Sequence, residues 1–192
     1  MGTIGAFSVG FLVVLFIIST ILYNCYVRVI QSRNTLLEAK SGIDVQFQKR
    51  YDLIPNVLKI ASRFMEHEKE IFTKITELRT QAMSAPKGSN QALELNSKLD
   101  SVLGELKVSM ENYPTLKSDA TMVQAMQTYN EVEEHIAAAR RFYNSALTQL
   151  NNTVMIFPSS IFRNYAADVL DSQYYETSEA AKVGINASDY LK

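Results

Sequence analysis

The sequence predicts an all-α protein in which an N-terminal transmembrane helix continues into an elongated antiparallel bundle of three long helices, followed by a short C-terminal helix. The 192 residues include only 7 glycines and 4 prolines, so few turns are obligatory. The first 27 residues carry no charged side chain, and beyond them apolar residues recur at spacings of three, four and seven. We therefore expect a transmembrane anchor over residues 1–27, a helical-bundle domain over 28–180 and a flexible C-terminal tail over 181–192.

The anchor is predicted from the segment between Ile4 and Val27, whose centre is a run of eight apolar residues, Phe11–Ile18. A bilayer core needs about 20 residues of apolar helix, and this segment has that length. Tyr23 and Tyr26 follow where an interfacial aromatic belt is expected. A cleaved signal peptide and a lipoprotein signal are the alternatives. The first needs a basic start and a small-residue cleavage site, and the second needs small residues before Cys25.

The orientation is predicted from the basic residues, which all follow the anchor. By the positive-inside rule, the N-terminus lies outside and the bundle domain in the cytoplasm, at a bacterial inner membrane. The residues that carry this argument are Arg28, Arg33, Lys40, Lys49 and Arg50. Four of them, Arg28, Arg33, Lys49 and Arg50, also qualify as contacts for anionic lipid headgroups. Within the anchor, Ala6 and Gly10 have the small-xxx-small spacing that lets membrane helices approach closely.

The first soluble helix is predicted from about Arg28 to Met83, with a bend at Pro55, which lacks a backbone N–H. Its apolar face consists of Leu36, Ile43, Phe47, Tyr51, Ile54, Val57 or Leu58, Ala61, Phe64, Ile71, Ile75 and Leu78. Ser84–Asn90 is a loop by composition. Three further apolar residues, Leu37, Val45 and Leu53, fall off this face and are candidates for contact with another chain.

The second helix is predicted from about Gln91 to Asn112, and Tyr113-Pro114 ends it because the residue before proline avoids the α region. Its apolar face consists of Leu93 or Leu95, Leu99, Val102 or Leu103, Leu106 and Met110. The third helix begins after Ser118 or Asp119 as N-cap and ends near Pro158. It has a nearly seven-residue apolar repeat, typical of coiled-coil-like packing, made by Met122, Met126, Tyr129, Val132, Ile136, Ala139, Tyr143, Ala146, Leu150, Val154 and Phe157. A short helix over Ser160 to about Ser178 follows.

Several segments together resemble the LemA family. They are QKRYDLIPNVL from Gln48, HEKEI from His67, YPTLKSD from Tyr113, ARRFYNSALTQLNNTVMIFP from Ala139, and Tyr174-Tyr175-Glu176. The motif positions are Arg50, Asp52, Pro55, Asn56, Tyr113, Pro114, Tyr143, Asn144, Asn151, Phe157 and Pro158. Phe142 stands where the family commonly has arginine, and Leu150 where it commonly has an aromatic residue. The resemblance implies an extracellular N-terminus, one membrane helix and a helical-bundle domain, without an established reaction.

Two pairs of polar residues deserve a chemical interpretation. His67 and His135 have acidic neighbours, but neither has the matching Glu-x-x-His sets by which bundles hold metal, so we expect solvated charged faces and no metal. Asn144 and Asn151 lie seven residues apart and so share a helix face. They form either the polar flank of the apolar stripe or a pair of amides that faces Arg50, Asp52 or Asn56 on the first helix.

Composition excludes several classes of function. The net charge is −1 with acidic and basic residues interspersed, so no broad basic surface exists for nucleic acid. A single cysteine, Cys25, excludes an intramolecular disulfide and a cysteine-based zinc site. Common phosphate-loop, zinc-protease and serine-hydrolase motifs are absent from the sequence.

We therefore expect a non-enzymatic membrane scaffold or adaptor, without cofactor or small-molecule substrate. It would bind an unidentified protein partner and assemble with itself as a homo-oligomer. The alternative is a membrane-surface or envelope-stress factor that binds anionic lipid.

Overall fold

The fold is all-α, as predicted, in a computed structural model that describes residues 2–175, with side chains from Gly10 onward. In this part of the chain there are helices and no strand. They are α1 (Gly2–Ala61), α2 (Lys69–Ser84), α3 (Asn90–Met110), α4 (Pro114–Ser118), α5 (Ala120–Met155) and a 3-10 helix (Ser159–Val169). The predicted tail, residues 181–192, and Ala6 lie outside the described side chains. Among the described helices, only α1 is long and apolar enough to cross a membrane.

The chain divides into two compact units. Unit 1 comprises Met1–Lys40 with Phe142–Tyr174, and unit 2 comprises Ser41–Arg141 with Tyr175–Lys192. The predicted domain over residues 28–180 therefore contributes to both units.

Unit 2 has a continuous apolar core that the predicted helix faces supply. Ile43, Phe47, Ile54 and Val57 of α1 are buried in it, and Leu58 is only partly buried. From α3, the buried residues are Leu95, Leu99, Val102, Leu103, Leu106 and Met110. From α5, Met122, Tyr129, Val132 and Ile136 complete this core. The predicted three- and four-residue spacing thus identified the buried faces correctly.

The predicted end of the first soluble helix is wrong. α1 continues through Pro55 but stops at Ala61, and a separate helix α2 begins at Lys69. The residues between Met65 and Ile71 are all charged or histidine, so the apolar face is interrupted for more than one turn. A break here lets Met65 become fully buried and lets α2 pack Ile75 against the same core.

Local sequence accounts for the remaining helix ends in unit 2. Gly88 has a φ of 62°, which favours glycine, in the loop before α3. Ser89 caps α3 by accepting a hydrogen bond from the Ala92 N–H at 3.1 Å. Pro114 begins the short helix α4, which was not predicted. Asp119, and not Ser118, caps α5 by accepting from the Met122 N–H at 2.9 Å.

Unit 1 contains the first part of α1, the last part of α5 and the 3-10 helix. The Ser32 and Thr153 hydroxyls lie 3.2 Å apart and fix the register between α1 and α5. The predicted C-terminal helix is a 3-10 helix that ends at Val169, while residues 176–178 lie outside the described part of the chain. Phe157 was predicted on the buried stripe but is exposed. α5 ends at Met155, so Phe157 lies beyond the helix and the seven-residue spacing no longer places it on the buried face.

Candidate functional site

A charged side chain lies in the middle of the unit 2 core. Arg50 of α1 is 0% exposed, and its neighbours Phe47 and Tyr51 on the same helix are buried core residues. Its guanidinium Nη1 donates to Asp100 of α3 and, at 3.4 Å, to Glu133 of α5. Arginine is rarely buried to this extent without charged partners, and here it has two.

An amide completes the environment of this arginine. Arg50 Nη2 donates to the side-chain oxygen of Asn96, which also accepts a hydrogen bond from the Tyr51 hydroxyl at 2.8 Å. The amide nitrogen of Asn96 donates to the backbone oxygen of Ala92 at 2.8 Å. The side-chain amide of Asn96 is thus used on both sides, so its orientation is fixed by its partners.

A second arginine balances the charge. Arg140 of α5 donates from Nη2 to the second carboxylate oxygen of Asp100 at 2.9 Å. Its guanidinium lies over the rings of Phe47, at 5.5 Å, and Tyr175, at 5.7 Å, while Arg50 lies over Phe47 at 5.1 Å. We call Arg50 with its direct partners, together with Arg140, the Arg50 cluster. They are Arg50, Asn96, Asp100, Glu133 and Arg140.

Burial and neighbouring charge act in opposite directions on the pKa of Arg50 but in the same direction on the pKa of Tyr129. Burial alone would lower the pKa of Arg50, but the Asp100 and Glu133 carboxylates more than reverse this, so the pKa is raised. Burial, followed by the negative charge of Glu133, raises the pKa of Tyr129 far above its usual range. Burial likewise raises the pKa of Tyr51. The site therefore combines a permanently charged guanidinium with phenols that stay neutral.

The Arg50 cluster is suited to holding helices together rather than to acid–base chemistry. Asp100 uses both carboxylate oxygens on the two arginines. The two guanidinium and two carboxylate groups balance in formal charge. The cluster links α1, α3 and α5, although the Nε atoms of Arg50 and Arg140 are buried without a hydrogen-bond partner. A polar network inside an apolar core can specify which helices pair and in which register.

The other family-motif residues of unit 2 lie outside this cluster. Asp52 is exposed and accepts a hydrogen bond from Gln48 at 2.9 Å. Pro55, Asn56 and Pro114 are also exposed. Tyr113 is partly buried at the junction of α3 and α4, and its hydroxyl donates to Glu68 at 3.4 Å.

In unit 1, the motif residues surround the segment after the 3-10 helix. Tyr143 is buried and its hydroxyl donates to the Gln173 backbone oxygen at 3.1 Å. Asn151 is partly buried and donates to the Tyr174 hydroxyl at 3.3 Å. Asn144 and Pro158 are partly buried as well. The bond from Asn151 goes to an aromatic hydroxyl, a partner that neither interpretation from the sequence included, namely the polar flank or a pairing with Arg50, Asp52 or Asn56.

The residues proposed as lipid contacts have different environments. Arg50 cannot contact a headgroup, because its guanidinium is buried in the unit 2 core. Arg33 is already paired with Asp168 through hydrogen bonds of 2.9 and 2.6 Å. Arg28 and Lys49 are exposed, and so are His67 and His135.

A second candidate site is an open groove of about 590 Å³ on unit 2, between the end of α3 and the start of α5. Its apolar residues are Met110, Met122, Val123 and Met126, and we call it the methionine groove. Charged and polar side chains border it, including an ion pair between Lys117 and Glu111 at 2.5 Å. Methionine side chains adapt to differently shaped apolar partners, which is why promiscuous binding surfaces use them.

Arg50 was predicted as a motif residue, but the other residues of its cluster, Asn96, Asp100, Glu133 and Arg140, were not predicted. Each was visible only as a polar residue next to an apolar face. Asn96 directly follows Leu95, while Glu133 and Arg140 lie seven residues apart, each directly after a residue of the α5 stripe. The one local indication of the cluster was the pair of opposite charges, Glu133 and Arg140, on the same flank of α5.

A family profile and three relatives match most of the chain. The LemA family profile matches residues 39–186. The chain is similar to Protein LemA of Metamycoplasma hominis, with 25% identity over 93% of this chain and 84% of that protein. It is also similar to Magnetosome protein MamQ 2 of Paramagnetospirillum magneticum, with 27% identity over 73% of this chain. Magnetosome protein MamQ of Magnetospirillum gryphiswaldense is 23% identical over 71% of this chain. The matches span 61% and 58% of these two magnetosome proteins.

Proposed function

This chain belongs to the LemA family, and on that premise we propose that it is a non-enzymatic scaffold or adaptor of the bacterial cell envelope. The α1 anchor would hold it in the membrane, and the bundle would act through contacts with other proteins. The names of its relatives, Protein LemA and Magnetosome protein MamQ, specify no reaction.

The methionine groove is the observation that carries this proposal. Val123 is 53% exposed beside it, and Val108 on the neighbouring stretch of α3 is also exposed. The groove offers Val123 and the half-buried Met126 above the core residues Met110 and Met122, with a charged rim. An apolar strip of this kind with a rim that includes Lys107 and Glu131 fits an amphipathic helix of a partner protein. Apolar side chains in such a depression favour a docking function over a purely solvated surface.

Photo-crosslinking in cells tests the groove. A photoreactive amino acid replaces Gln127, which is exposed and lines the groove. We expect one discrete adduct, lost on introducing Val123→Asp but retained on introducing Met83→Asp. Both are exposed apolar residues of unit 2, at 53% and 44% exposure, and Met83 does not line the groove. An adduct that survives both changes, or the absence of any adduct, would contradict docking at this groove.

Self-assembly is the second part of the proposal. Neighbouring chains rooted in one bilayer are held at high effective concentration, so weak lateral contacts suffice. Val45 is exposed on α1, whereas Leu37 and Leu53 are partly buried, which leaves Val45 as the clearest contact of the three. Light scattering of the detergent-solubilised full chain decides this. A mass of one chain across a range of concentrations would exclude a homo-oligomer.

The orientation remains part of the proposal as well, with the N-terminus outside and the bundle in the cytoplasm of the inner membrane. The charge asymmetry around α1 supports it. A reporter that is active only in the cytoplasm, fused after Lys192, should be active. An inactive cytoplasmic reporter together with an active exported one would reverse the orientation.

The alternative function is binding of anionic lipid. The observation that supports it is an open polar groove of about 680 Å³, which the exposed Arg28 lines with Gln31, Thr148 and Asn152. In that case, Arg28→Gln would weaken association of the full chain with anionic vesicles relative to zwitterionic ones. Equal association would leave the adaptor proposal as the better account.

A further inference from the structure

The chain turns between α5 and the 3-10 helix through a corner that is apolar and exposed. Met155, Ile156 and Phe157 are three consecutive apolar residues that are 69%, 63% and 78% exposed, and Ile161 after the turn is 60% exposed. We call these four residues the apolar corner. Turns at a water-facing surface are usually polar, with Gly, Asn, Asp or Ser. An apolar turn of this kind needs an apolar environment.

Contacts inside unit 1 place this corner beside the end of the membrane segment. The Tyr26 ring packs edge-on against Phe162 at 5.8 Å and against Tyr165 at 5.2 Å. The chain thus leaves α5 at Met155 and reaches Tyr26 within seven residues, at Phe162. The corner lies between these two points.

The register between α1 and α5 also places the apolar corner beside the membrane end of α1. Thr153 of α5 lies opposite Ser32 of α1, and Glu133 lies opposite Arg50, so the two helices run in opposite directions. α5 therefore approaches the membrane as its residue number increases. Two residues further, Met155 is about 3 Å nearer to the bilayer. The apolar run Phe11–Ile18 of α1 is exposed in the chain and continues toward Tyr23 and Tyr26 at the interface.

We propose that the apolar corner inserts into the interfacial layer of the same bilayer that α1 crosses. The protein would then have two membrane contacts, a spanning helix and a shallow wedge of Met155, Ile156, Phe157 and Ile161. Phe, Ile and Met favour this layer, and the aromatic cluster of Tyr26, Phe162 and Tyr165 extends it. Exposed Arg163 on the 3-10 helix is available to phosphate groups at the same level. This inference rests on the anchor and not on the adaptor function.

The absence of tryptophan from the chain permits a direct test. Phe157→Trp gives the full-length protein a single tryptophan at the corner. Phe142→Trp is the matched control, because Phe142 is an exposed phenylalanine of α5 about 20 Å further from the membrane than Met155 by helical rise. Phe16→Trp reports the anchor itself. Each variant is reconstituted in zwitterionic phosphatidylcholine vesicles, so that attraction to anionic lipid plays no part.

We expect Phe157→Trp to show emission shifted to shorter wavelength, quenching by lipids brominated near the headgroup, and protection from aqueous acrylamide. Phe142→Trp should show none of these, and Phe16→Trp should be quenched by deeper bromines. Emission of Phe157→Trp like that of Phe142→Trp would overturn the proposal. A wavelength shift without quenching by brominated lipid would also overturn it, because protein would then cover the corner. Ile161→Trp, with unchanged circular dichroism, repeats the measurement if Phe157→Trp fails to fold.

Discussion

Two arginines of α1 show how much the surroundings of an ion pair matter. In unit 1, Arg33 forms two hydrogen bonds with Asp168, and both side chains have access to water. In unit 2, Arg50 is completely buried and divides its hydrogen bonds among two carboxylates and an amide. The Arg33 pair has the better bidentate geometry, but water can replace either partner. For Arg50 no such replacement exists, so the loss of one group leaves others buried and unpaired.

The largest expected effect is that of Arg50→Ala. Removing the buried guanidinium leaves a cavity and deprives Asn96 and Glu133 of a partner, while Asp100 keeps Arg140. The free energy of unfolding should therefore fall by about 3–5 kcal/mol. Urea unfolding of the detergent-solubilised full chain, followed by circular dichroism, measures this. Arg63→Ala is the control, since Arg63 is exposed in the turn after α1. If the two variants unfold at the same urea concentration, the Arg50 cluster does not stabilise unit 2.

A smaller effect is expected for Asn96→Ala. This change removes one acceptor from both Arg50 and Tyr51, so two buried donors lose a partner while the charge pairs remain. We expect a loss of about 1–3 kcal/mol in the free energy of unfolding, measured in the same way. Ser97→Ala, at the exposed neighbouring position, should be close to neutral. An effect no larger than that of Ser97→Ala would mean that the amide is not needed to hold Arg50.

Arg33→Ala should destabilise the protein less than either change in unit 2, because its ion pair is exposed. Its effect should also shrink when ionic strength rises from about 0.01 to 1 M, where the screening length falls from roughly 30 to 3 Å. Thermal unfolding at the two salt concentrations measures this difference. The effect of Arg50→Ala should change little with salt. A salt response of equal size for both arginines would remove the distinction between the two sites.

The smallest expected effect concerns acid pH. The hydrogen bond from Arg33 lowers the pKa of Asp168 below its ordinary value. The stabilisation from this pair is therefore present above the ordinary aspartate pKa of about 4 and is lost as the pH falls through the lower native pKa. Asp168→Asn should reduce the acid sensitivity of unfolding below about pH 4. Unfolding midpoints of both proteins from neutral to acid pH give the comparison, and parallel curves would argue against a role for this pair.

The sequence predicted the apolar faces well because burial has a period that neighbouring residues reveal. Leu99, Leu106 and Ile136 were assigned to the core from spacing alone and are buried. The end of α1 was missed because a run of charged residues is compatible with a solvated helix face as well as with a turn. The free energy gained when α2 buries Ile75 in the core favours the turn over a continuous helix, and this packing is not visible in the local sequence.

The partners of Arg50 were not predictable in the same way. Asn96 lies 46 residues from Arg50 and Glu133 lies 83 residues away, so no local pattern connects them. The motif resemblance identified Arg50 as important but supplied no contacts. The polar candidates near it in sequence, Asp52 and Asn56, lie on the exposed side of the same helix. Long-range pairing of polar groups depends on helix register, which becomes known only when the helices are placed together.

The separation between Arg50 and Glu133 also has a consequence for biosynthesis. The 83 residues between these positions take roughly 4–17 s to synthesise at bacterial and eukaryotic translation rates. During that interval Arg50 has been synthesised, but Glu133 and Arg140 of α5 are not yet part of the chain. The Arg50 guanidinium therefore stays hydrated and the apolar stripe around it stays uncovered. The bundle can close only after translation of α5, so a ribosome stalled before α5 would expose a membrane-inserted, half-assembled chain to quality-control proteases.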